Sequence, residues 1–158
     1  MALPKIDLPM QQIILPSSGE KIKVRAFTVK EEKILLIAGE QNDVVVELMA
    51  IKQILNNCMV EGRVEDLAMI DLEYVFLKLR SNSVDNLTKF TIRDPDTDES
   101  VDLELNLDDV ECIRDETHSM DVRINEEYVL FLKHPTIEEF AQVLTMDEKD
   151  PLTNYYIM

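Results

Sequence analysis

The 158-residue chain is expected to fold as an α+β protein. Two observations predict this. Apolar residues recur at helical spacing between Phe27 and Val84, then at strand spacing between Leu87 and Lys133. Helix runs kept apart from strand runs favour α+β over a doubly wound sheet. The expected architecture is an N-terminal β-hairpin and helical bundle packed on a small antiparallel sheet, closed by a short C-terminal helix. Its segments are 1–86, an acidic β part at 87–135, and 136–158, expected to make one compact unit.

Each element has a local reason. Gln11 to Leu15 and Lys21 to Phe27 flank the turn residues Pro16-Ser17-Ser18-Gly19-Glu20. Ile22, Val24 and Ala26 alternate with Lys21, Lys23 and Arg25, which predicts a half-buried strand and an opening hairpin. Thr28 to Glu31 is a T-x-x-E capping box, in which the two residues satisfy each other's orphan backbone donors. The helix it opens carries Ile34 to Ile37 and is expected to end near Gly39. A second helix starts at Asn42 or Asp43, with Val44, Leu48, Ile51 and Leu55 on one face. Asn56-Asn57 and Gly62 end it. A third begins near Ile70 or Asp71, with Leu72, Val75, Phe76 and Leu79 as its apolar face. Leu87 to Arg93 is a predicted strand, and Asp94 to Ser100 a turn. Val101, Leu103, Leu105 and Leu107 alternate with Asp102, Glu104 and Asn106. Further strands are expected at Val110 to Arg114, Asp121 to Ile124 and Tyr128 to Lys133. His134-Pro135 breaks the last. Thr136 to Glu139 is a second capping box, opening a helix through Leu144.

Composition excludes several classes of function. The net charge is −16, from 16 basic and 32 acidic side chains. Nucleic-acid backbones need Lys and Arg, so no nucleic-acid surface is expected. Residues 1–86 hold 10 basic and 13 acidic side chains, a net of −3, while 87–158 hold 6 and 19, a net of −13. Solubility accounts for such a field in the simplest way. Steering toward a basic partner is the sharper reading, with Asp102, Glu104 and Asp109 as its candidate contacts. No apolar run nears the roughly 20 residues of a membrane span. Met1 to Met10 has no secretory pattern, and synthesis inside the cell is expected. Cys58 and Cys112, in apolar contexts, are then expected as free buried thiols, with a disulfide between them left open.

Catalytic and metal-binding patterns are weak. Asp94, Asp96 and Asp98 have the D-x-D-x-D spacing of a calcium loop, but Glu99 stands where glycine is needed and Leu105 where a bidentate Glu is needed. A solvated hairpin turn is the better reading. His118 and His134 stand alone, without the spacing of a zinc site. Ser17, Ser18, Ser81 and Ser83 are placed in turns with no His or Lys nearby in sequence. Met49, Met59 and Met69 fill core gaps in the plainer reading and form an adaptable groove in the other. No catalytic residue, cofactor or metal is expected.

Five stretches together carry a resemblance. They are the Leu-Pro-rich opening from Leu3 to Phe27, Val29 to Leu36 (VKEEKILL), Lys52 to Cys58 (KQILNNC), Asp71 to Val84 (DLEYVFLKLRSNSV) and Phe131 to Pro135 (FLKHP). In this order they resemble the baseplate hub assembly proteins of T4-like contractile-tailed bacteriophages, over roughly the first 135 residues. Two departures stand out. The family is expected to carry a cysteine-paired, zinc-ribbon-like turn where this chain has Asp94 to Ser100. It is also expected to continue into a longer helical C-terminal part than the one ending at Met158, which leaves a natural short form, a shortened product and a fragment all open. The resemblance implies a non-enzymatic role in building the baseplate hub, as an assembly chaperone binding hub proteins or the tape measure protein in the host cytoplasm. A permanent virion subunit is the first alternative. An acidic decoy that mimics nucleic acid in a host protein's basic groove is the second. Self-association is left open.

Overall fold

The period-2 stretches at the start pair as a hairpin. In the computed structural model, which describes residues 8–113 and 119–145, β1 (Met10–Ile14) runs antiparallel to β2 (Lys21–Arg25), with Ile13 opposite Ile22. Ile13, Ile22 and Val24 turn inward and are buried.

Thr28 caps α1 (Val29–Gly39) with both arms of the box formed. Glu31 reaches back to the Thr28 N–H at 2.9 Å and accepts from its hydroxyl at 2.7 Å. Asp43 caps α2 (Val44–Cys58) by accepting from the Val45 and Val46 N–H groups. α2 does not run on to Gly62. Met59 is already extended, and Met59–Glu61 forms β3, which pairs with β2 and completes a three-stranded sheet in the order β1-β2-β3. Gly62 then turns the chain at φ +101°, where a Cβ would stand 3.1 Å from the Ile22 side chain.

α3 (Met69–Ser83) starts without a side-chain cap at Ala68. Its first N–H is satisfied from far along the chain: Met69 donates to the Pro135 carbonyl at 2.8 Å. The step after Pro135 is thereby docked against α3. Thr136 and Glu139 cap α4 (Ile137–Thr145) reciprocally, as the sequence predicts. Ile137 and Ala141 join the core formed by Leu48, Ile54, Leu55, Leu72, Val75, Leu79 and the inward residues of the first sheet. Lys52 on α2 pairs with Glu138 on α4.

The core is therefore built from both ends of the described chain, and the segment between α3 and α4 leaves it. β4 (Leu87–Arg93) and β5 (Ser100–Asn106) form one antiparallel ribbon, and β6 (Asp121–Arg123) and β7 (Val129–Phe131) another. The α+β class stands, with three small antiparallel sheets among the described residues where a hairpin and one further sheet were expected. No strand covers Val110 to Ile113, against expectation, and Ile113 is 95% exposed. Arg114, the last residue of that expected strand, lies outside the described residues, as does His118.

Candidate interaction surface

The register of the β4–β5 ribbon sorts its side chains onto two faces. Thr88 lies opposite Leu105, Phe90 opposite Leu103, and Ile92 opposite Val101. Those pairs share one face, because side chains alternate along a strand and cross-strand partners point the same way. The other face carries Lys89 with Glu104, and Thr91 with Asp102. The alternation is as the sequence predicts, but among the described residues no second layer covers the apolar face. Phe90 is 40% exposed, Leu103 41% and Val101 57%. These are side chains that the sequence pattern assigns to a core.

The acidic candidates fall away from that face. Asp102 accepts a hydrogen bond from the Thr91 hydroxyl at 2.7 Å, and Glu104 pairs with Lys89 at 3.3 Å. Both stand on the polar face. Asp109 lies past the end of β5, in a single 3-10 turn at Leu107–Asp109. The structure thus brings Asp102 and Glu104 together on one face and sets Asp109 at the ribbon's base. Beside Asp109, the Asp108 carboxylate accepts from the Ser81 hydroxyl and from Asn86, which hold it below the usual carboxylate range. Lys78 reaches the carbonyls of Leu107 and Asp108 rather than a carboxylate.

At the far end, the D-x-D-x-D stretch is built as a turn. Asp94 accepts from the backbone N–H groups of Asp96 and Thr97, which lower its pKa, and Asp98 pairs with Arg93. Asp98 takes a left-handed φ of 63° to close the hairpin.

A groove of about 410 Å³ opens where the ribbon meets the helices, lined by Leu48, Ile51, Phe76, Leu77, Thr88 and Leu107 among others. Phe76 is half-buried there rather than sealed in the core. A second apolar groove, about 390 Å³, lies between α1 and α2 beside Ile37 and Met49. Met69 is buried, and Met59 packs against the core. The β6–β7 ribbon is apolar on one face, where Val122 lies opposite Leu130; on the other, Phe131 and Val129 stand opposite the charged Asp121 and Arg123, with Phe131 75% exposed.

The reactive side chains are engaged elsewhere. Ser81 and Ser83 are the last turn of α3, not a loop. Ser83 donates to the Leu79 carbonyl and accepts from the Phe27 N–H at 3.0 Å. Ser17 donates through both its N–H and its hydroxyl to Asp71. Cys58 is fully buried, and burial pushes its thiol up to about 11, away from the thiolate a nucleophile needs. Cys58 and Cys112 are both free, but Cys112 is exposed rather than buried as expected, since it lies past the 3-10 turn outside the core. Among the described residues no three His, Cys, Asp or Glu side chains cluster as metal ligands would, and no helix is long and apolar enough to cross a membrane.

The chain was compared with known proteins. The family model described as T4 bacteriophage base plate protein matches residues 9–157. No curated protein and no solved structure matches.

Proposed function

Since the chain belongs to the T4 bacteriophage base plate protein family, we propose that it acts without enzymatic chemistry in assembling the baseplate hub, as a chaperone that binds hub or tape measure protein. Family membership implies a phage baseplate role. The observation that carries the finer reading is the position of the two ribbons. They leave the core between α3 and α4 and hold apolar side chains in water. Exposed apolar surface of this kind is what protein partners cover. Asp102, Glu104 and Asp109 contribute a field that draws a basic partner in.

The motifs that resemble the family do different work from the ribbons. Asp71 of the third motif holds the Ser17 turn, and Phe131 to Pro135 leads into the α3 N-terminus. Asp71 and the Pro135 carbonyl thus maintain the frame, while Phe131 belongs to the β6–β7 ribbon and stands exposed with the other ribbon side chains. Mass spectrometry of purified virions, paired with pull-down from infected cells, tests the reading. Capture of hub or tape measure protein with absence from the virion is expected. Stoichiometric presence in the virion would make the chain a permanent subunit. Capture of a host protein alone would point to a decoy.

A further inference from the structure

Two surfaces that look separate are continuous. Thr88 lines the groove between α2 and α3, and it also begins the apolar face of the β4–β5 ribbon, opposite Leu105. One apolar track therefore runs from Phe76 in the groove, past Thr88, onto the Phe90/Leu103 pair and then the Ile92/Val101 pair. A two-stranded ribbon standing alone in water is marginal at best. Covering this face would stabilise it.

Charge decides what covers it. Between Leu87 and Glu111 there are two basic and nine acidic side chains, a net of −7. Both cations are already paired within the ribbon, Lys89 with Glu104 and Arg93 with Asp98. The acids gather at the two ends of the track, in the Asp94–Glu99 turn and at Asp108 and Asp109. A second copy of the chain would set one such field against another, so this face resists self-pairing. An apolar stripe bounded by cations fits it.

We propose that the track from Phe76 to Val101 is the docking site for a basic amphipathic segment of a partner protein. The segment's apolar side lies along Phe90 and Leu103, and its Lys or Arg side chains meet the acidic turn and the ribbon's base. This rests on the reading of the chain as a protein that binds baseplate partners, and it names the chemistry of the partner. The polar face with Asp102 and Glu104 stays outside the contact and acts only through its field.

The test uses the full chain and synthetic amphipathic helical peptides of about 18 residues, five turns, made from Leu and Lys or from Leu and Glu. The Leu/Lys peptide is expected to bind and the Leu/Glu peptide to fail. Phe90→Ser with Leu103→Ser should weaken Leu/Lys binding by about tenfold or more, while Phe131→Ser on the other ribbon should leave it unchanged. Should the double variant lose native circular dichroism, Val101→Lys, at an exposed position far along the ribbon, replaces it with the same expectation. Undiminished binding in the folded face variant would overturn the proposal. So would equal binding of the Leu/Glu peptide, or a dimer in ultracentrifugation that the face variant dissolves. Hub capture by a chain whose face binds no Leu/Lys peptide sinks the docking site alone. Peptide binding through the face, without hub or tape measure capture from infected cells, sinks the functional reading alone.

Discussion

Glu31 is almost fully buried, with 1% of its surface exposed, yet it carries charge. Burial pushes its pKa up. The Thr28 hydroxyl and N–H and the Arg25 guanidinium, 3.1 Å away, outweigh burial and bring the pKa down from 4.5 to about 2. The folded value lies below the unfolded one, so the unfolded chain takes up the proton first as pH falls. The stabilisation is whole above pH 4.5 and is lost toward pH 2; its size is on the order of 3 kcal/mol. Glu31→Gln is expected to lower stability at neutral pH by a similar amount and to flatten the decline between those pH values, read from urea midpoints across a pH series. Phe76 makes a different residue-scale case. Full burial would make Phe76→Ala cost several kcal/mol. Half-burial on the groove wall predicts about 1–2 kcal/mol instead, together with weaker partner capture. A loss of 4 kcal/mol or more in denaturant unfolding would place Phe76 in the core proper.

The β4–β5 ribbon is the element most separable from the rest. Leu87 and Asn106 are cross-strand partners, so the chain can be closed between them. Replacing residues 88–105 by a two-residue Asn-Gly turn should leave thermal unfolding of the remaining core within about 5 °C of wild type and abolish capture of hub or tape measure protein. A collapse of the core transition would mean that the ribbon is structural. The sequence foretells this element's pairing but not its surroundings. Alternation at Val101, Leu103 and Leu105 specifies a strand with one apolar face, and nothing local says whether a layer or a partner covers it. The capping boxes at Thr28 and Thr136 were legible because both halves of each lie within four residues. β3 was not, since Met59 to Glu61 continues the apolar run of α2 and becomes a strand only by pairing with Lys23 and Val24. The start of α3 is similar: Ala68 offers no cap, and the acceptor it needs comes from Pro135. Ser81 and Ser83 read as turn residues by composition, but they serve inside a helix by bonding to Asp108 and to the Leu79 and Phe27 backbone.

At the scale of the molecule, charge and apolar contact are divided by position. Residues 1–86 carry a net of only −3, the ribbon segment 87–135 holds 14 acidic against 5 basic side chains, and the apolar faces stand among those acids. Long-range attraction sets how often a partner arrives, and the apolar contact sets how long it stays. Asp102 and Glu104 stand on the polar face of the ribbon, and Asp109 at its base, so their part is expected in arrival. Replacing the three by Asn, Gln and Asn removes three negative charges from the field, and Lys89 loses its partner Glu104. The variant is expected to capture hub or tape measure protein several-fold more slowly at low salt, with its dissociation rate nearly unchanged and its fold intact by circular dichroism. At 1 M salt the screening length is about 3 Å, and wild type and variant should then associate at the same rate. Surface plasmon resonance at the two salt concentrations decides the matter. Equal on-rates at low salt would reduce these three carboxylates to solubility alone. A faster off-rate would instead bring the polar face into the contact.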